Sequence, residues 1–347
     1  MSKITFIIGG MARGGAERVI SILSNYYAEK GYATDIIVML TNEVGYRLHE
    51  TTKIIDFTGK TKSRIKRLPY WRNSIRRYLK ENKPDVVVSF VASINLITLS
   101  ACKNLDVKLI VSERNDPKLD GRSKIVDFLT KRAYKKANAV VFQTKRAAAH
   151  FPKLKNAVII PNPILEMKNK EERNENKVVS VGRLMPQKNQ KMLIGAFSKV
   201  LASHPDAFLE IYGEGELRQE LQSQIDTLGI NEKVKLMGNH ENVLDLIKDA
   251  GVFCMSSNYE GLSNALLEAM TLGLPCISTD CAGADEYIVN GENGYLVPVA
   301  DQEKMAEAIS NLVGNKARQS QFSENVLESA KVFSFDSVMK KWDDVIL

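Results

Sequence analysis

The chain has 347 residues, 44% of them hydrophobic and 26% charged. That is an ordinary globular composition, long enough for two domains, and it excludes disorder, collagen and a disulfide scaffold. The net charge of +7 hides a split: residues 1–165 hold 30 Lys and Arg against 13 Asp and Glu, a net +17, and the remaining 18 against 28 leave −10. The basic half is therefore expected to meet something anionic, namely nucleic acid, a phosphorylated substrate or anionic lipid.

Short apolar, β-rich runs alternate with amphipathic helical stretches. Strands are predicted over Ile4–Ile8, Thr34–Leu40, Asp85–Phe90, Lys108–Ser112 and Ala139–Phe142. A second series follows at Lys177–Val181, Phe208–Tyr212, Val234–Met237, Gly251–Met255 and Pro275–Ser278. Strands flanked by helices on both sides predict parallel sheets covered on two faces. Ile4–Ile8 after Lys3 superficially resembles a signal peptide, but Gly9-Gly10 and Arg13 cut it short. The longest uncharged run, Val86 to Cys102, carries Ser89, Ser93, Asn95, Thr98 and Ser100, so it reads as a buried strand and helix rather than a membrane span.

Between the two series, Val158-Ile159-Ile160 leads into Pro161-Asn162-Pro163 and a polar Lys, Glu and Asn stretch. That is linker composition. The predicted organisation is a Rossmann-like domain over 1–165, a hinge over 166–177, a second Rossmann-like domain over 178–331 and a terminal helical segment over 332–347. The ligand is expected in the cleft between the domains, beyond the carboxyl ends of strands.

The candidate chemistry lies at strand ends. The first strand runs into Gly9-Gly10-Met11-Ala12-Arg13-Gly14-Gly15-Ala16-Glu17-Arg18. A glycine-rich strand-to-helix junction lets backbone amides and a helix N-terminus approach phosphate, and Arg13 and Arg18 add charge. It is neither GxGxxG nor a P-loop, and a plain tight turn is the other reading. The second domain opens with Gly182-Arg183-Leu184-Met185-Pro186-Gln187-Lys188-Asn189. Two cations at a strand end suit a diphosphate, or merely a solvated loop. Glu260-Gly261-Leu262-Ser263-Asn264-Ala265-Leu266-Leu267-Glu268 places two carboxylates around a helix start, with Leu262, Leu266, Ala269 and Met270 as the buried stripe.

Lys60 to Lys83 carries ten basic residues against Glu81 alone. Trp71, Ile75, Tyr78 and Leu79 share one helical face, expected on the core. Arg72, Arg76, Arg77 and Lys80 are expected to look outward, toward an anionic membrane or a lipid diphosphate. The four cysteines (Cys102, Cys254, Cys276, Cys281) form no CxxC pair and read as buried thiols of a cytoplasmic protein. The four histidines have no metal-ligand spacing, and no Asp-x-Asp occurs, so no metal site is expected.

Taken together, GGxxxGGAER, the PNP at the hinge, GRLxxQKN, Gly213-x-Gly215 and EGLSNALLE resemble glycosyltransferase family 4 of the GT-B fold, in order and over nearly the whole chain. The similarity is greatest to bacterial enzymes that extend lipid-linked or capsular glycan precursors. The resemblance implies an α/β fold of two doubly wound domains facing a central cleft. It implies that Arg183 and Lys188 hold the donor diphosphate, that Glu268 bonds the ribose hydroxyls and that Glu260 sits by the transferred sugar. Amides of Leu262, Ser263, Asn264 and Ala265 are then expected at the sugar and diphosphate, those of Gly14 and Gly15 across the cleft, and Gly213 and Gly215 beside the nucleoside.

Many family members carry a histidine after the strand ending near Ser112, where this chain has Ser112-Glu113-Arg114-Asn115-Asp116-Pro117. Arg114 either takes a sugar or phosphate contact there, as Arg13 and Arg18 could, or pairs with Glu113 or Asp116. The implied reaction is retaining, metal-independent sugar transfer from a UDP-linked donor, needing no cofactor. The implied acceptor is a soluble or polyprenyl-diphosphate-linked glycan of a capsule or lipopolysaccharide, reached by peripheral contact with the inner membrane face. Rival readings are a GT-B nucleotide-sugar epimerase and a nucleic-acid binder. The second lacks any RRM, helix-turn-helix or OB signature. The terminal helix is expected to pack Phe335, Val338, Trp342 and Ile346 onto the first domain.

Overall fold

A computed structural model describes residues 2–12, 14–59, 64–118, 120–164, 172–281 and 283–347, with the side chains of 64–66 left out. The chain divides into two compact units. One comprises Met1–Pro163 with Val338–Leu347, the other Ile164–Ser337.

The first unit is built on a parallel sheet. Its strands are β1 (Lys3–Ile8), β2 (Ala33–Val38), β3 (Lys53–Asp56), β4 (Val86–Phe90), β5 (Lys108–Glu113), β6 (Ala139–Phe142) and β7 (Ala157–Ile159). They lie in the order β3-β2-β1-β4-β5-β6-β7, with Ile4 opposite Val86 in register. Every residue of β4 is buried, which is why a run of β-branched residues rather than an alternating one forms it. The order reverses between β1 and β4, the topological switch point at which such sheets open a crevice for ligand.

The second unit repeats the plan with β8 (Asn174–Val181), β9 (Phe208–Tyr212), β10 (Val234–Gly238), β11 (Ala250–Met255), β12 (Cys276–Thr279) and β13 (Gly294–Val297). Their order is β10-β9-β8-β11-β12-β13, again parallel, with the reversal between β8 and β11. Successive strand residues feed opposite faces. Val178 and Val252 join a cluster with Leu193, Phe197 and Ile211, whereas Val179 and Phe253 join one with Leu266, Met270 and Phe333.

β8 starts earlier than the sequence suggests. Asn174 to Asn176, expected as linker, are strand, and the Lys177 ammonium lies 3.0 Å from both Asp249 and Glu210. Residues 166–171 of that linker lie outside the described residues.

The helix Arg64–Asn82 buries Trp71, Ile75, Tyr78 and Leu79 as its periodicity predicts. Its basic side divides in two. Arg72 donates to Ser100 Oγ (2.9 Å), and Arg76 donates to the carbonyls of Ala101 (2.7 Å) and Lys103 (2.6 Å). Arg76 therefore caps the C-terminal end of the helix Ala92–Ala101, whose last carbonyls need donors, while Arg72 is tied to a side-chain hydroxyl at the same end. Only Arg77 and Lys80 of the expected membrane-facing four are exposed, and Arg72 and Arg76 are half-buried. Lys60 and Lys62 lie outside the described residues.

The terminal helix, Phe335–Ile346, joins the first unit from Val338 onward. Trp342 is fully buried and stacks on Phe90 at 6.2 Å. Asp343 accepts from Tyr26 (2.8 Å), Tyr27 (3.0 Å) and Lys30 (2.8 Å). Phe335 is half-buried and stays with the second unit. All four cysteines are buried free thiols, and burial pushes each upward from its ordinary pKa. Among the described residues no helix is long and apolar enough to cross a membrane.

Candidate active site

In the second unit, β8 and β9 end side by side, and their outgoing loops pack backbone on backbone. A Cβ on Gly213 (φ +137°) would collide with the Gly182 carbonyl, and one on Gly215 with that of Leu184. Leu184 N–H donates to Glu214 O and Leu217 N–H to Leu184 O, both at 3.0 Å. These glycines are thus needed for the loops to close on each other, whatever ligand lies beside them.

The same closeness shapes Lys188. Its aliphatic stem runs over Gly182, 3.3 Å from where a Cβ would stand. Its ammonium reaches Glu260 Oε1 at 2.5 Å, and Ser257 Oγ donates to the same oxygen at 2.9 Å. The two side chains are only 17% and 10% exposed, so the pair is largely desolvated. Arg183, on the same loop, is exposed and makes no side-chain hydrogen bond or ion pair with any described residue. One cation is thus held in place and the other is open to a ligand.

The loop after β11 is sewn to the Lys188 loop. Asn258 donates from its backbone to Gln187 O (2.8 Å) and from its amide to Pro186 O (2.9 Å). Asn189 donates to Asn258 Oδ1 (3.0 Å), and Ser256 to Lys188 O (2.8 Å). Asn189 sits at φ +47°, a left-handed position that Asn tolerates, and it caps the helix Gln190–Val200. This stitching fixes Arg183, Lys188 and Glu260 in one frame.

Glu260 precedes the helix Asn264–Thr271 and Glu268 lies within it. Leu262, Leu266, Ala269 and Met270 are buried, as the stripe predicts, and Glu268 is buried among them. Ser263 occupies the N-cap position but makes no side-chain capping bond. Ser263 is buried; Asn264 and Ala265 are half-buried. Among the described residues no group of three His, Cys, Asp or Glu side chains could hold a metal ion.

The first unit holds the other candidates. Gly14 caps the helix Gly15–Glu29 in an extended conformation, and its N–H and C=O both bond Tyr46 OH, at 3.1 and 2.9 Å. A Cβ on Gly14 would strike the Glu17 carboxylate, which folds back over the helix start. The Glu17 carboxylate thus lies beside the helix start at which the sequence expects a phosphate. Arg18 is half-buried. Arg13 lies outside the described residues.

Arg114 follows β5 and is only 7% exposed. Its guanidinium lies over the Phe90 ring, 5.0 Å from the centroid. It donates to Asn162 Oδ1 (2.8 Å) and to Ser112 Oγ (3.3 Å), and its Nε has no partner. Burial pushes its pKa down to about 9, and the charge of Glu17 pulls it back up.

Arg114 pairs with neither acid offered by its sequence neighbours. Glu113 binds Arg122 (3.0 Å) and Tyr134 OH (2.9 Å) instead, and Asp116 Oδ1 caps its own turn at Lys118 N–H. Beside it, Val91 at the end of β4 holds φ +76°, which is strained for a β-branched residue. Ser257, Asn258, Gln143 and Tyr46 had no signal in the sequence, and Asn162, although part of the quoted hinge motif, had none that pointed to Arg114.

A held cation–carboxylate pair at a topological switch point places the second unit among the ligand-binding doubly wound α/β units. Comparisons narrow the class. Residues 163–328 match the model described as glycosyl transferases group 1, and residues 13–164 that of glycosyltransferase family 4.

An uncharacterized glycosyltransferase of Methanocaldococcus jannaschii is 31% identical over 355 residues, covering 84% of this chain and 86% of the relative. A Campylobacter jejuni alpha-1,4-N-acetyl-D-galactosaminyltransferase is 29% identical over 359 residues, covering 99% and 97%. That relative's name gives a diNAcBac-PP-undecaprenol-linked acceptor. The crystal structure of Anabaena Alr3699/HepE in complex with UDP matches with a TM-score of 0.82 at 17% identity, covering 99% of both chains. The chain belongs to these glycosyltransferases, and its fold is GT-B.

Proposed function

We propose that this enzyme is a retaining, metal-independent transferase moving a sugar from a UDP-linked donor to a glycan carried on a polyprenyl diphosphate, in bacterial surface polysaccharide synthesis. The observation that carries the reading is Lys188 fixed on Glu260 beside the exposed Arg183 at the end of β8. An ammonium has three donors, so Lys188 keeps Glu260 and still donates to a phosphate. Arg183 adds a planar fork. The held Lys188 and the open Arg183 together stabilise the diphosphate as its charge grows, and so stand where other transferases use a metal.

The bond from the anomeric carbon to the β-phosphate oxygen breaks, and the bond to the acceptor oxygen forms on the same face. The acceptor proton passes to the departing phosphate. Glu260 and Glu268 then bind hydroxyls of sugar and ribose rather than forming an acid/base pair. The lipid-linked acceptor rests on the name of the Campylobacter relative, and the UDP donor on the UDP-bound Anabaena neighbour.

Donor kinetics test the site. Glu268→Ala is expected to raise the donor KM and lower kcat/KM, each lost hydrogen bond to the carboxylate being worth about 1.5–3 kcal/mol. Arg183→Ala should act on kcat, since the charge it faces grows in the transition state. Turnover should survive excess EDTA. Wild-type kinetics in both variants at low donor concentration would overturn the site, and complete loss in EDTA restored by Mg²⁺ would overturn the cation-pair mechanism. Donor conversion without acceptor would mark an epimerase.

A further inference from the structure

The helix Lys124–Ala133 is turned the wrong way round for a core helix. Ile125 is 72% exposed, Phe128 63% and Leu129 46%, and its one buried residue is Thr130. Positions i, i+3 and i+4 lie on one face, so three large apolar side chains stand together in solvent. Such a patch on an otherwise ordinary surface marks a place of contact.

The charge around the patch points to what it contacts. Within two turns beyond Phe128, Lys131 and Lys135 line a pocket of about 500 Å³ together with Lys118 and Lys153, and Phe151 and Leu154 form part of its apolar wall. The acid on this helix, Asp127, is occupied by Lys131 (2.7 Å) and by His150 (2.6 Å). Asp120, nearby in sequence, is bound by Arg122. The surface therefore presents apolar side chains beside an excess of lysine.

We propose that this helix and its lysine pocket dock the enzyme on an anionic membrane, with Ile125, Phe128 and Leu129 entering the interface and the lysines meeting lipid phosphates. Protein–protein interfaces are depleted in lysine at their centres, whereas interfacial helices combine Phe and Leu with flanking lysine. The inference rests on the lipid-linked reading above for its purpose and deepens it by naming a surface. It also moves the membrane contact away from Arg72 and Arg76, which are bonded to the end of a neighbouring helix.

Co-sedimentation with acceptor-free vesicles separates the surface from the reaction. The wild-type chain should bind phosphatidylglycerol-containing vesicles, release them as salt rises, and ignore pure phosphatidylcholine. Ile125→Ser with Phe128→Ser should weaken binding by about tenfold or more, because each apolar side chain adds its own burial to partitioning. Lys135→Ser with Lys153→Ser should weaken it comparably, and Arg77→Ser with Lys80→Ser much less. Melting temperature and UDP affinity should be unchanged throughout, since all these side chains are exposed.

Undiminished vesicle binding by the Ile125/Phe128 variant overturns the proposal. So does a wild-type dimer that the same variant converts to monomer without any vesicle binding, because the patch is then an interface between copies. Failure of transfer to a lipid-linked acceptor, with vesicle binding intact, overturns the proposed acceptor and leaves the docking surface standing.

Discussion

At the end of β8 the cation that leaves the strand, Lys188, meets a carboxylate. At the end of β5 the corresponding cation, Arg114, meets an aromatic face, an amide oxygen and a hydroxyl, but no carboxylate within ion-pair distance among the described residues. Both lie in parallel sheets of the same design, and both are largely withdrawn from water. A buried pair is self-sufficient, whereas Arg114 has only the charge of Glu17, beyond ion-pair distance, to offset its desolvation. The difference teaches what each unit has settled without ligand. The second unit holds a finished frame of fixed charges. The first holds an electrostatic deficit, with an orphan guanidinium Nε and a strained Val91 beside it.

The sharpest way to break that contrast is to remove Lys188. Lys188→Met leaves the Glu260 carboxylate largely desolvated, with Ser257 Oγ still donating to it. Losing one member of a buried pair costs roughly 3–5 kcal/mol, and partial exposure here reduces that to about 2 kcal/mol. Transfer should fall by about 100-fold or more, as when a preorganised donor to a developing charge is removed. Adding Glu260→Gln should restore the denaturation midpoint and leave transfer lost. If the double variant regains turnover as well, the pair is a strut and the donor diphosphate is held elsewhere.

Arg114→Met asks the opposite question. The substitution deletes a charge that has no carboxylate partner, and Asn162 Oδ1 keeps the Gln143 amide at 2.7 Å. Two hydrogen bonds of about 1 kcal/mol each and a cation–π contact of about 2 kcal/mol are lost, against relief of a desolvation cost of several kcal/mol. Stability by urea denaturation should therefore change by less than about 1 kcal/mol, while transfer falls at saturating donor. A large stability loss with normal turnover per folded molecule would make Arg114 a structural residue and erase the contrast between the units.

The sequence makes the two units legible for a physical reason that also explains what it hides. Strands buried on both faces, such as β4 and β11, are unbroken apolar runs and are visible in advance. Strands β3, β7 and β13 lie at or next to sheet edges, have four residues or fewer and are partly exposed, so their patterns dissolve into loop composition. GRLMPQKN and the paired glutamates stand out because they follow strands directly.

Partners are harder to read than positions. Glu113 is the last residue of β5 and Arg114 the next along, so their side chains leave on different sides, and Glu113 is taken by Arg122 and Tyr134. The basic residues of the helix Arg64–Asn82 look interchangeable in sequence. Only the position of a neighbouring helix end separates Arg76 from Arg77. The reversed burial of the helix Lys124–Ala133 is likewise invisible, because its amphipathic pattern is that of an ordinary core helix.

The smallest expected effect concerns Val91, whose φ of +76° and ψ of 132° lie where a β-branched residue is strained. Its N–H donates to Ser112 O at 3.1 Å and its carbonyl accepts from Asn95 N–H at 2.9 Å, so β5 and the helix Ala92–Ala101 both hold it there. A residue kept in such a region costs about 1–3 kcal/mol, and glycine removes that cost while adding roughly 0.5–1 kcal/mol of unfolded-state entropy. Val91→Gly should thus raise stability by about 1 kcal/mol, read as a higher urea midpoint at unchanged m-value. If the strain serves to hold the β4 end against Phe90 and Arg114, transfer should fall in the same variant even as stability rises. A gain in stability with full activity would leave Arg114 as the first unit's one unsettled element, and a loss of stability would mean that the conformation at Val91 is relaxed by packing that outweighs its strain.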